Sequence, residues 1–343
     1  MIPHSFSIKS ASITFGAFFC LFLTACGEKK SAATADWENQ SGADNTEQPE
    51  KTPAVTKQPK TDVVPATSNK AMGVRFIAYN LRNYLTMRRY VDGKSIEGGK
   101  PEKEIEALLN VIVSGKPDIL GVCEIGSQED LADFQKRLGA KGIKLPHIHR
   151  VQGSDPTRAL AILSKYPVTA HPKPEKSTYK LSGKEFQISR GILDVSINIA
   201  GKDVRFLGIH LKSKRPVRDA DQEMMRRNEA GLVRKHIETI LSTTPEARLL
   251  VYGDYNDTKR TKSVYIIQGR RNSDKRLEML EFPDSRGEVW THHWKREDIY
   301  SRIDFCMTSP SLAPHIKSEQ CRLLDPDYWE TGSDHRAMLL IFK

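Results

Sequence analysis

The sequence predicts an α/β fold whose parallel or mixed sheets gather the polar ends of their strands on one rim. Three observations predict it. Apolar runs that read as buried strands stop abruptly at polar residues, as in Leu249 to Asp257, where Gly253 ends the run and Asp254, Asn256 and Asp257 crowd into the turn. Amphipathic helical segments lie between such runs. The chain has 343 residues, 38% hydrophobic and 28% charged, which suits one large globular domain or two smaller ones.

Asp254 and Asn256 stand two residues apart at a strand's exit and can point the same way. One then accepts a proton while the other holds a water or a phosphate oxygen. The same residue types also make hairpin turns and helix N-caps, and this segment alone leaves both readings open.

The first residues read differently from the rest. Lys9 precedes an apolar run from Ile13 to Leu23, too short to span a bilayer but right for the apolar region of a signal peptide. The run ends in Leu23-Thr24-Ala25-Cys26-Gly27, which resembles the bacterial lipoprotein processing box. That resemblance implies removal of residues 1–25 and acylation of Cys26, anchoring the chain in a bacterial membrane on the periplasmic or cell-surface side. Gly27 and Glu28 lean the expectation towards the outer membrane. Several acyl chains on one residue supply the anchoring strength that a single chain lacks. A plain secretory signal and a buried N-terminal helix are the alternatives. Residues 26–72 are rich in Ala, Thr, Ser, Gln and Pro, with Trp37 the only aromatic, and cannot bury enough surface to offset their ordering entropy. They read as a disordered tether whose charges nearly cancel, so the formal net charge of +10 belongs to residues 73–343, the expected catalytic domain. Beyond Cys20 and Cys26, the remaining Cys123, Cys306 and Cys321 form an odd set without metal-binding spacing, and no disulfide is predicted.

Within that domain, Gly73 to Asn80 alternates as a strand and stops at an amide. Pro101 to Val113 carries Ile105, Leu108, Leu109 and Ile112 at helical spacing, and Lys116-Pro117-Asp118 breaks it. Ile119 to Cys123 is a short apolar strand that delivers Glu124. Gln128 to Leu138 is a second helix. Arg158 to Ser164 reads as a buried strand, and Phe186 to Ile199 as another, with Arg190 on it. Asp203 to Leu211 is its expected partner and delivers His210. His147 and His149 alternate in an extended run, but no third ligand stands near them in sequence.

Lys212, Lys214, Arg215 and Arg218 follow His210 and precede a helix from about Asp221 to Leu241. A charge run of this kind usually forms a solvated face, yet cations beside a strand-end histidine also hold anions. Further basic pairs stand at Lys259-Arg260 and Arg270-Arg271, with Tyr265 between them. Basic residues on several loops of one rim suit a polyanion. Near the end, Arg302 to Met307 is a strand with Asp304 inside it, and a buried acid needs a partner. His335, in the run Gly332-Ser333-Asp334-His335-Arg336 before the last strand, supplies one.

Taken together, Asn80, Glu124, the Arg158 to Ser164 strand, Arg190, His210-Leu211, Gly253 to Asp257, Arg302-Ile303-Asp304 and Ser333-Asp334-His335 resemble, in this order, the endonuclease/exonuclease/phosphatase superfamily, the DNase I-like proteins. The resemblance spans essentially everything after the tether. It implies a four-layer α/β sandwich, two packed mixed sheets flanked by helices. Carried over residue by residue, it makes Glu124 the main carboxylate ligand of a divalent cation, with Asn80 nearby and Asp334 as a further ligand. Oxygen donors of this kind suit Mg²⁺ or Mn²⁺. Asp254 would orient or deprotonate the attacking water, and Asn256 would position water or phosphate. Asp304 would support His335, His210 would contact the phosphate or protonate the leaving oxygen, and Arg190 would clamp a phosphate oxygen. Whether Asp254 or His335 is the base stays open at this point.

The run His210-Leu211-Lys212-Ser213-Lys214 resembles the histidine motif of secreted bacterial nucleases. The expectation is therefore a metal-dependent phosphodiester hydrolase acting on DNA or RNA outside the cytoplasm, membrane-anchored, monomeric and without an obligate protein partner. A phosphatase or phosphodiesterase of lipid or sugar phosphates is the alternative, with Trp290 and Trp294 as the nearest candidates for an aromatic membrane-facing hairpin. A noncatalytic polyanion-binding lipoprotein is the reading from outside enzymology.

Overall fold

Two six-stranded sheets carry the fold of the computed structural model, which describes residues 73–91 and 93–343. The expected leader, the lipidation at Cys26 and the tether lie outside the described residues. The first sheet runs, in order, Arg322–Leu324, Ala337–Ile341, Arg75–Tyr84, Ile119–Ile125, Ala159–Ser164 and His147–Val151. The second runs Glu278–Met279, Asp304–Thr308, Arg248–Asp254, Lys202–His210, Leu193–Ile199 and Val168–Ala170. Both are mixed. Arg75–Tyr84 pairs in parallel with Ile119–Ile125, and Lys202–His210 in parallel with Arg248–Asp254, while their other neighbours are antiparallel.

The alternation of each strand decides the layers. Leu250 and Tyr252 face the first sheet and pack with Phe76, Ala78 and Phe206, whereas Leu249 and Val251 face outward. Tyr252 fills the space between the sheets, its ring centroid 4.9 Å from that of Phe76. Gly121 makes room for it, since a Cβ there would lie 2.3 Å from the Tyr252 ring. The outer face of the first sheet is covered by the helices Glu102–Gly115 and Gln128–Ala140, and that of the second by Gln222–Thr243 and Lys262–Gln268. The result is the expected four-layer sandwich. The helix ends follow local chemistry: Ser127 and Asp130 form a reciprocal capping box, and the Asp221 carboxylate accepts the N–H of Met224. Among the described residues no helix is long and apolar enough to cross a membrane.

Three expectations are corrected. The run Phe186 to Ile199 is not one strand. Lys184–Gln187 pairs in a separate hairpin with Thr178–Leu181, and the sheet strand begins at Leu193. Arg190 therefore sits on a connecting loop, where Gly191 takes φ +77° and the Ser189 N–H and hydroxyl bond the buried Glu229. The first strand does not stop at Asn80 but continues to Tyr84 through an irregularity, with Arg82 and Asn83 at positive φ. The Asp304 strand starts at Asp304 itself, because Arg302 turns aside to donate to the Leu280 carbonyl. The cysteines 123, 306 and 321 are buried and free.

Candidate active site

Strand ends from both sheets meet at one end of the interlayer, and Asp254 is their common neighbour. Leu250, Tyr252 and Asp254 share a face, so the alternation that buries Tyr252 between the sheets also aims Asp254 there. Asn80 Nδ2 donates to Asp254 Oδ2 at 3.1 Å, and the Asn256 N–H donates to Oδ1 at 2.7 Å. His210 Nε2 lies 3.5 Å and His335 Nε2 3.8 Å from the same Oδ2. Gly253 allows the approach: its φ is +132°, and a Cβ would lie 2.0 Å from the Ile209 carbonyl oxygen. Asn256, at φ +50°, turns its side chain back to donate to the Leu211 carbonyl.

Asp254 and Asp304 stand directly opposite in the antiparallel ladder. Two facing buried carboxylates cannot both ionise freely. Burial first, and Asp304 next, raise the Asp254 carboxyl to about 7. His335 relieves the conflict. Its Nδ1 lies 2.8 Å from Asp304 Oδ2. Burial opposes its charge, but Asp304 and then Asp254 overcome that cost and raise the imidazole to about 10. Thr291 Oγ1 fixes the start of the Asp304 strand by accepting the N–H groups of Ile303 and Asp304. Ser333 does the same for His335, accepting its N–H while donating to the Asn80 carbonyl.

Glu124 reaches the cleft by a different device. Leu120 and Val122 face the outer helices, and strict alternation would send Glu124 with them. Instead Glu124 takes φ +62° at a register shift between Cys123 and Ile125, which re-aims its carboxylate inward. Its Oε2 accepts the Asn83 N–H at 2.9 Å, and Oε1 lies 3.8 Å from His210 Nε2. Arg158, read from sequence only as a strand start, donates to Asn83 Oδ1 at 2.7 Å and stands 3.9 Å from Glu124. Burial first, and Arg190 next, push His210 well below the usual histidine range, so its ring is neutral.

Arg190 does not touch the Asp254 cluster directly. It is buried beside Asp155, 3.4 Å away, and its Nε and Nη1 make no hydrogen bond. Both atoms are sealed from solvent, so the guanidinium acts as a fixed positive charge whose field reaches His210. Asp334 sits at the other side, its Oδ2 3.7 Å from Arg82 and 3.9 Å from His292. His292, which stands beside the tryptophans in the sequence, lies tilted against His335 at 4.7 Å between centroids, and burial and then His335 lower it to about 4. The basic run after His210 divides. Lys212 is buried, its Nζ donating to the Arg215 carbonyl and its N–H to Glu229, whereas Lys214 and Arg215 are exposed. Asp257 is more than the turn residue its position implied: it is a buried anchor, bonded to Arg226 at 3.1 Å and to the Ser263 hydroxyl at 2.7 Å.

Two packed mixed sheets with this carboxylate, amide and histidine cluster between their strand ends define a phosphate-ester hydrolase. The chain belongs to the Endonuclease/Exonuclease/phosphatase family, whose sequence model matches residues 78–335. The fold is shared with an endonuclease/exonuclease/phosphatase family protein from Leptotrichia buccalis, at TM-score 0.54 and 16% identity over 79% of this chain and 99% of that one. It is shared also with a beta toxin from Staphylococcus aureus, at TM-score 0.52 and 13% identity over 79% of this chain and 100% of that one. The catalytic domain of human Nocturnin, whose structure holds a bound sulfate anion, matches at TM-score 0.52 and 14% identity over 79% of this chain and 94% of that one. No curated protein matches the sequence.

Enzymes of this family generally act with divalent metals, and the donors here fit one. Among the described residues, Asp254, Asp304 and His335 bring ligand atoms within 4.8 Å of one another. That triad is already engaged as an internal charge network, because His335 Nδ1 is committed to Asp304. Glu124 differs. Its Oε1 accepts no hydrogen bond from any described residue, and Asn80 Oδ1 receives only the Arg82 N–H. Oxygens of this kind on Glu124 and Asn80 suit a hard cation such as Mg²⁺ or Mn²⁺, while the Asp334 carboxylate lies against Arg82, His292 and His335.

Proposed function

We propose that this chain is a divalent-metal-dependent nuclease that hydrolyses phosphodiesters of DNA or RNA from a lipid anchor on Cys26, outside the cytoplasm. The observation that carries the chemistry is Asp254, held at once by Asn80, Asn256, His210 and His335. Glu124, Asn80 and Asp334 would hold Mg²⁺ or Mn²⁺, which would supply positive charge against the phosphate oxygens. Asp254 is the base that takes the proton of the attacking water, since its carboxyl titrates near neutrality. His335 is the cation of the site and not the base, because Asp304 keeps its ring protonated. It stabilises charge that builds on the phosphoryl oxygens. Arg190 adds a fixed positive charge beside His210 that favours the phosphate. Neutral His210 contacts the phosphate and does not supply the leaving-group proton.

The exposed Lys214, Arg215 and Arg218 beside the cleft favour a polyanion over a neutral ligand. Incubating the full-length chain with plasmid DNA and with RNA in Mg²⁺, with and without chelator, tests the reading. Metal-dependent cleavage is expected, and no cleavage of either polymer under any divalent metal would sink it. Incorporation of labelled fatty acid that disappears in Cys26→Ala tests the anchor.

A lipid-phosphodiesterase reading has one observation in its favour. The hairpin His292–Trp294/Ile299–Ser301 adjoins His335 through a bridge at His292 and exposes Ile299 and Tyr300. The tryptophans are not the exposed part: Trp290 is stacked 4.0 Å from the Arg336 guanidinium. A panel of sphingomyelin, inositol phosphates and nucleic acids separates the two readings.

A further inference from the structure

A basic cavity away from the catalytic cleft is not used by the chemistry above. It has a volume of about 710 Å³ and lies between the helix Gln222–Thr243 and the segment 262–276. Sites for small ligands span roughly 300–1,000 Å³, so one or two nucleotides fit it. Its floor is built. Arg234 is buried and donates to the carbonyls of Ile267, Gln268 and Lys275, with its Nε on Glu238 at 2.9 Å. Gly269, at φ +92°, is required beneath it, because a Cβ there would lie 2.5 Å from Arg234 Nη1. Arg276 closes the far side by donating to the Gly269 carbonyl at 3.1 Å.

The mouth differs from the floor. Lys262, Arg270 and Arg271 are exposed and form no ion pair with any described residue. Tyr265 stands among them with 51% of its surface open. Glu238 is the only carboxylate lining the cavity, and Arg234 already holds it. Uncommitted cations around one open aromatic face are what an unpaired nucleotide needs: guanidiniums for its phosphates and a ring for its base. A duplex offers no free base face to Tyr265. A membrane surface is less suited to a concave site with a single exposed aromatic ring.

The cavity is tied to the catalytic end by two rigid connections. Asp257, which follows the Asp254 to Asn256 turn, bonds the Ser263 hydroxyl on the short helix Lys262–Gln268. Arg226, bonded to the same Asp257, precedes Arg234 on one helix by about 12 Å at 1.5 Å per residue.

We infer that the Lys262–Tyr265–Arg270–Arg271 cavity is a secondary binding site for single-stranded nucleic acid, which holds the strand away from the bond cleaved at Asp254. The inference rests on the nuclease reading above. It makes the enzyme prefer substrates long enough to fill both sites.

The test compares the full-length chain with the double variant Arg270→Glu/Arg271→Glu, with Tyr265→Ala, and with the double lysine variant Arg270→Lys/Arg271→Lys. Three quantities are read: KM for a 30-nucleotide single strand, the salt dependence of its binding, and kcat/KM for bis-p-nitrophenyl phosphate, which is too short to reach the cavity. For the charge reversal the expectation is an oligonucleotide KM raised at least tenfold, with the slope of log K against log salt falling by about 1.4, that is ~0.7 for each of two lost phosphate contacts. Tyr265→Ala raises KM about fivefold or more with the slope unchanged, and the lysine variant keeps most of the affinity. The small diester, hydrolysed at the wild-type rate by all variants, shows that they are folded. Equal oligonucleotide KM and equal slope in wild type and charge reversal would overturn the inference. So would loss of anionic-vesicle binding in the charge reversal while oligonucleotide KM holds. If the wild type hydrolyses the small diester but neither binds nor cuts any polynucleotide, the nuclease reading itself falls.

Discussion

Asp304 Oδ2 lies 2.8 Å from His335 Nδ1, with both groups buried and Asp254 directly across the ladder from Asp304. The pair converts an electrostatic conflict between two carboxylates into a fixed cation aimed at the site. Asp304→Asn keeps the shape and removes the charge that holds the imidazole protonated. The expected outcome is a fall in kcat of roughly 10²–10⁴-fold with little change in KM, measured on a small chromogenic phosphodiester. Wild-type kcat in this variant would remove His335 from the charged role given to it.

The same pair makes stability depend on pH with a defined sign. The His335 pKa is raised in the folded state to about 10 from an ordinary 6.5. Its contribution is therefore fully present below about pH 6.5 and is lost as pH rises through about 10. The difference in Tm between wild type and His335→Gln should be largest at pH 6 and shrink steadily towards pH 10. A difference that is flat across that window contradicts the assignment.

Glu124 offers one uncommitted oxygen to the cleft. A cation that binds only the folded chain stabilises it by about 2.7 kcal/mol at a hundred times its Kd. Saturating Mg²⁺ or Mn²⁺ should accordingly raise the Tm of the wild type, and Glu124→Gln should lose most of that rise. Equal metal-induced shifts in the two proteins would place the cation elsewhere. Chelation of the wild type should lower Tm and abolish hydrolysis together.

Asp257 and Arg226 are a buried pair under the catalytic turn, with side chains 7% and 3% exposed. Removing one partner strands the other charge, which typically costs about 3–5 kcal/mol. Asp257→Ala should show a loss of this order in urea unfolding, and a loss below about 1 kcal/mol would mean that Arg226 finds another partner.

Much of the site could be read along the chain because its residues end strands whose alternation is visible. Asn80, His210 and Asp254 share faces with Phe76, Phe206 and Tyr252, so periodicity places them between the sheets. The helices Glu102–Gly115 and Gln128–Ala140 are legible from apolar spacing, and the sequence places Gln222–Thr243 as well, each to within two residues or so at its ends. The alternating residues that flank Arg190 imitate a strand, while the buried Glu229 holds that segment as a loop through Ser189. Arg158, His292 and Thr291 join the site only through partners far away in sequence, which no local pattern reveals.

By itself, the sequence determined which residue types stand at the strand ends, and their order, through its resemblance to the family, implied the four-layer fold. Only the tertiary structure decided how those residues are charged and aimed. Glu124 faces the cleft because φ +62° at a bulge reverses its side, and no periodicity encodes that reversal. His335 is a cation and Asp254 titrates near neutrality because their distances and their burial, set by how the two sheets pack, fix the field each feels.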